Sequence, residues 1–130
     1  MPADWTGRAV LLVGAGAALG GILRYFAGVY LSRDDWPWGT IVVNLLGSFL
    51  VAIIMFGAVS RGYFGPDTRI FLVTGILGGF TTMSSFAYET AAFVDDAEIL
   101  RAITYAGLTF FGSLAMVFLG RFAVQSIPGA

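Results

Sequence analysis

The 130-residue sequence contains no histidine and no cysteine, and all seven of its basic residues are arginine. Without cysteine there is no disulfide and no thiolate metal site. With histidine missing too, the usual zinc, haem and catalytic-triad chemistries are excluded. Charge is scarce. Charged residues make up 12% of the chain, about half of the quarter usual in soluble domains. The net charge is −1 and no basic patch exists, so a nucleic-acid binder driven by phosphate charge is excluded. What is abundant is apolar. The hydrophobic fraction is 58% with 18 glycines in addition, and the mean hydropathy is +0.85. That rules out disorder. A soluble chain of this size cannot hide so much apolar surface. The sequence is that of an integral membrane protein.

The few charges divide the chain into apolar runs. Arg33, Asp34 and Asp35 end the first, Arg61 the second, the acidic group Asp95, Asp96 and Glu98 the third, and Arg121 the fourth. Each run has about the 20 residues a helix needs to cross the hydrocarbon. None alternates in polarity as an outer-membrane strand does. The pattern predicts one all-α domain over 1–130, with transmembrane helices over about 8–31, 36–60, 69–94 and 101–122. The first run reads as a transmembrane span, with a signal peptide as the less favoured alternative, because Asp4 offsets Arg8 and no small-residue cleavage site is gathered at its end. A glycine pattern from Gly14 to Gly20 resembles a dinucleotide fingerprint. It lies inside an apolar span without the strand that fingerprint requires.

Small residues recur four apart at Gly16 and Gly20, Ala17 and Gly21, and Gly75 and Gly79. In lipid such pairs let helix backbones approach closely. Four short helices packed in this way enclose little space. A solute pathway then needs a second copy, and a dimer is the commonest assembly.

Polar groups at membrane depth are costly and point to function. Thr40, Asn44 and Ser48 form one stripe on the second helix, and Tyr105, Thr109 and Ser113 another on the fourth. The third run carries Gly78–Gly79, followed by Thr81, Thr82, Ser84 and Ser85 near its midpoint. Adjacent glycines weaken a helix by about 1 kcal/mol each relative to alanine. A break there frees backbone carbonyls, which is tolerated only beside a cavity or an ion. Arg24 is the only basic residue well inside a span, and Glu89 lies near the end of the third. Neutral donors, together with the positive ring edge of a phenylalanine, suit a small anion better than a cation.

With these features in place, the sequence resembles the Fluc (CrcB) family of fluoride channels from about Val10 to Phe122. The resemblance rests on Arg24–Tyr25, on Gly39–Thr40 with Asn44–Leu45–Leu46–Gly47–Ser48–Phe49, on the segment from Gly75 to Phe86, and on Gly112–Ser113. It implies an antiparallel, dual-topology dimer in a prokaryotic plasma membrane, with two narrow fluoride pathways. It also implies a structural Na⁺ at the dimer centre, held by the carbonyls of Gly78 and Thr81. Asn44 is then the pore amide. Thr40, Ser48, Met83, Ser84, Ser85, Phe86, Tyr105, Thr109 and Ser113 are the other expected pathway residues, with Arg24 and Glu89 as structural partners. The sequence departs from the family at Met83, where a phenylalanine is usual. A thioether has no ring quadrupole.

The function implied is passive export of fluoride, driven by the membrane potential at about 2.3 kcal/mol per 100 mV. The alternatives are a small multidrug-type four-helix exporter and a membrane assembly subunit that transports nothing. No carboxylate in the first helix argues against the exporter. Arg8, Arg61, Arg69 and Arg121 fall on the side of the N-terminus, against Arg33 and Arg101 on the other. This bias places both termini in the cytoplasm. Besides fluoride and surrounding lipid, the expected partner is a second copy or an oppositely oriented paralogue.

Overall fold

A computed structural model describes residues 6–33 and 36–128. Asp4, Asp34 and Asp35 lie outside the described residues. Helix α1 spans Gly7–Leu31, α2 Trp38–Val59, α3 Pro66–Asp95 and α4 Ile99–Gln125. All four are long and apolar enough to cross a membrane, and no strand occurs among the described residues. The chain is a multi-pass helical membrane protein. The ends of the helices follow the local chemistry. The Thr6 hydroxyl accepts from the Ala9 N–H at 3.2 Å and caps α1. Gly62, at φ +76°, turns the chain between α2 and α3, a conformation that favours glycine. Pro66 opens α3 at the position where its missing N–H costs nothing.

Helices α1 and α3 meet through glycine. A Cβ on Gly16 would lie 2.5 Å from the Phe71 carbonyl oxygen, and one on Gly79 would lie 2.6 Å from that of Ala17. Gly20 likewise faces the backbone of Ile76, and Gly75 that of Gly16. The small-residue pairs therefore form one seam in which backbone touches backbone, and dispersion operates at its shortest range. A Cβ on Gly21 would meet open space, but its backbone nitrogen lies 3.1 Å from where a Cβ on Gly79 would be, so Gly21 borders the seam through its backbone.

Helices α2 and α4 pack beside this pair. Ile41, Phe93, Ala102 and Tyr105 form the buried cluster, with Trp36 and Phe86 against it. Much of the remaining apolar surface is exposed, including Leu11, Leu100 and Phe111. Such surface is at home against lipid or another copy, not water.

Two stretches are wound as π-helix, Ile53–Val59 in α2 and Ile70–Leu77 in α3. Both lie at the end of the bundle that carries the α2–α3 loop. Arg8 pairs with Asp67 at this end, and Arg61 donates to the Val124 carbonyl at 2.6 Å. Arg8 and Arg61, two of the arginines expected to share one side, both make their contacts at this end.

Helix α3 is broken. Thr81 (φ −83°, ψ 157°) and Thr82 (φ −150°, ψ 114°) are extended, and helix resumes at Met83. The break falls after Gly78–Gly79, which remain helical. Gly79 serves close approach to α1, while two consecutive β-branched residues of modest helix propensity supply the break.

Candidate functional site at the helix break

The break is held open by side chains. The Asn44 amide nitrogen donates to the Thr82 carbonyl at 3.0 Å, and Asn44 Oδ1 accepts the Thr82 N–H at 2.8 Å. Asn44 thus mimics a neighbouring strand. In an unbroken helix the Thr82 N–H would serve the Gly78 carbonyl. The Ser85 N–H, which would serve Thr81, goes instead to Thr82 Oγ1 at 3.1 Å. Two carbonyls, of Gly78 and Thr81, have therefore lost their helical donors. Arg24 Nε donates to the Gly79 carbonyl at 3.1 Å, which quiets a third.

Two grooves flank the break, and Thr82 lines both. The first, about 440 Å³, runs between α2, α3 and α4. Of the expected pathway residues it gathers Asn44, Ser48, Met83, Phe86, Thr109 and Ser113. Its hydroxyls are unequal. Ser48 spends its proton on the Asn44 carbonyl at 2.6 Å. Thr109 is 4% exposed, and its Oγ1 lies beside the Tyr105 hydroxyl without forming a well-aligned hydrogen bond. A buried polar atom left without a good partner is unusual and calls for a ligand or water. Phe86 is positioned by Tyr105, with ring centroids 5.6 Å apart.

The second groove, about 420 Å³, is lined by Arg24, Thr40, Ser85 and Glu89. Glu89 accepts from Thr40 at 2.9 Å and from the Tyr105 hydroxyl at 2.5 Å. Tyr105 is 0% exposed and lines neither groove. It lies in the core, where it ties Glu89 to Phe86. Ser84 is exposed and lines neither groove, with its Oγ 3.3 Å from Thr82 Oγ1. The expected residues thus fall on both sides of the break rather than along one track.

Sequence reasoning missed Thr82. It is 8% exposed and caps the second half of α3 through its hydroxyl. The signal was present, since a threonine preceding a renewed helical run is a preferred N-cap.

This arrangement defines a multi-pass membrane protein built around a polar helix break, of the kind that handles ions at mid-membrane. Residues 11–121 match the family described as CrcB-like protein, Camphor Resistance (CrcB), and the chain belongs to that family. It is 42% identical over 123 residues to a protein of Anaeromyxobacter dehalogenans, with 92% of this chain and 98% of that one covered. It is 44% identical over 122 residues to one from Chlorobium chlorochromatii, covering 92% and 95%. A relative in Thermus thermophilus is 42% identical over 113 residues, covering 85% and 88%. All three relatives are named fluoride-specific ion channel FluC.

Proposed function

We propose that this chain is a fluoride channel of prokaryotic plasma membranes, a passive transport protein and not an enzyme. The observation that carries the reading is the first groove. There Thr109 brings a buried hydroxyl without a well-aligned hydrogen bond, and Asn44, Ser113 and Phe86 line the same space. A small, strongly hydrated anion enters a pore only where close donors replace its water. Asn44 keeps one amide proton free after its bond to Thr82, and Ser113 adds another hydroxyl. Glu89 already accepts from Thr40 and Tyr105, which leaves it poorly placed as the exchange carboxylate of a proton-coupled exporter.

The groove opens on the surface of a single chain, where its polar lining would face lipid at high cost. A second copy packed antiparallel over it closes the pathway and, by symmetry, builds two. The residues also fit a structural Na⁺. The Gly78 and Thr81 carbonyls are released from the helical ladder, and carbonyl oxygen is a hard ligand suited to a hard cation. Two carbonyls are few for one ion, whereas two copies supply four. When bound, the ion would tie together the broken helices of both copies. Efflux from fluoride-loaded proteoliposomes, triggered by a potassium ionophore, tests the function. Fluoride release without chloride release is expected. Equal release of chloride, or none of fluoride, would overturn it. Crosslinking of single-cysteine pairs tests the dimer, and a pure single chain that conducts through antiparallel dimers needs no paralogous partner.

A further inference from the structure

The glycine seam sets Arg24 against the helix break. Gly16, Gly20 and Arg24 are spaced four apart, so they share the face of α1 that meets α3. The two glycines bring backbone against backbone. The third position of the row reaches the break, where Arg24 Nε donates to the Gly79 carbonyl at 3.1 Å. Gly79 directly follows Gly78, whose carbonyl the break has released. A guanidinium is charged at every accessible pH. Among the described residues this one has no ion-pair partner. Glu89 lines the same groove, but it accepts from Thr40 and Tyr105.

We propose that Arg24 sets the valence of the ion at the break, admitting Na⁺ and excluding Ca²⁺. This inference rests on the sodium reading above. Ca²⁺ is nearly the size of Na⁺ and also takes backbone carbonyls, so neither the size of the site nor the hardness of its ligands separates the two ions. Charge does. Repulsion between a fixed cation and a bound ion scales with the charge of the ion, so it weighs twice as heavily on Ca²⁺. The released carbonyls are neutral, and among the described residues no cluster of acidic side chains is gathered for a metal. Nothing therefore offsets the second charge. Arg24 also occupies the Gly79 carbonyl, which keeps the ligand set small, whereas Ca²⁺ takes about six to eight oxygens. Arg24 is thus a positioning residue, acting through its charge and through Gly79 rather than as a ligand.

The test follows thermal unfolding of the full-length protein, purified in N-methylglucamine without Na⁺. Fluoride is left out, because it precipitates Ca²⁺. Na⁺ or Ca²⁺ is then titrated in, and the ratio of their half-saturating concentrations is read from the rise in Tm. Wild type is expected to need roughly tenfold more Ca²⁺ than Na⁺, or not to respond to Ca²⁺ at all. Arg24→Lys keeps the charge and should keep that preference. Arg24→Gln and Arg24→Met are neutral, and the ratio should move roughly tenfold or more towards Ca²⁺. Two neutral variants are made so that failure of one to fold leaves the other. The proposal is overturned if Ca²⁺ stabilises wild type as readily as Na⁺ does. It is equally overturned if a folded neutral variant still rejects Ca²⁺, or if Arg24→Lys accepts it. A wild type that Na⁺ does not stabilise overturns the sodium reading together with this proposal, whereas the other contrary results leave that reading standing.

Discussion

Replacing Asn44 with alanine removes both bonds to the Thr82 backbone, at 3.0 and 2.8 Å. Thr82 is 8% exposed, so water does not take their place. An unsatisfied buried polar group costs about 1–3 kcal/mol, so the pair costs roughly 2–6 kcal/mol. The nearest relief is for the Thr82 N–H to return to the Gly78 carbonyl. That closes the break and takes Gly78 away from any ion. At ~1.4 kcal/mol per factor of ten, even the lower figure corresponds to roughly 25-fold. Fluoride efflux of Asn44→Ala is therefore expected to fall at least that far, while the dimer still elutes as a dimer on gel filtration. Hydrogen exchange should report a changed protection at the Thr82 amide. Asn44→Asp keeps an acceptor for the Thr82 N–H, so it should preserve the break yet impede the anion by its charge. Full efflux in Asn44→Ala, with exchange at Thr82 unchanged, would refute the reasoning.

Thr109→Val deletes a hydroxyl that forms no well-aligned hydrogen bond within the chain. Thermal stability should be unchanged or slightly higher, while efflux falls roughly fivefold or more for a lost bond of about 1 kcal/mol; equal efflux would make the hydroxyl irrelevant to conduction. Gly16→Val places atoms against the backbone of Phe71 and Gly75, so the yield of folded protein should collapse, whereas Gly14→Ala, with open space around it, should express normally. Exchanging Na⁺ for a large organic cation on both sides should abolish efflux if the Gly78 and Thr81 carbonyls hold the ion, and unchanged efflux would remove the sodium site. Phe86→Ala frees the face of Tyr105 now packed at 5.6 Å, and efflux should drop far more than dimer yield.

Much of the fold was legible because the bilayer imposes it. Scarce charge and long apolar runs translate directly into spans. The seam of Gly16, Gly20, Gly75 and Gly79 was visible as spacing, because lipid rewards small residues at helix contacts. The break was expected near Gly78–Gly79 and lies instead at Thr81–Thr82. Glycine weakens a helix locally, but here close packing on α1 keeps it helical. The partition of polar residues was less legible. Helical spacing puts Tyr105 on the face of Thr109 and Ser113, yet it cannot say that Tyr105 turns inward to Glu89. Nor does it reveal that the Asn44 amide is engaged twice by the backbone. Those are contacts between distant segments, and spacing within one helix carries no information on them. The π-helical winding of Ile53–Val59 and Ile70–Leu77 has no sequence signal that we can identify.

The most direct test of a fluoride-selective pathway is the reversal potential of the purified protein in a planar bilayer, with a tenfold fluoride gradient and equal chloride on both sides. A pathway for fluoride alone should reverse at about 59 mV, the value for a tenfold ratio of a singly charged ion. Reversal near zero, where chloride is at equilibrium, would contradict the account.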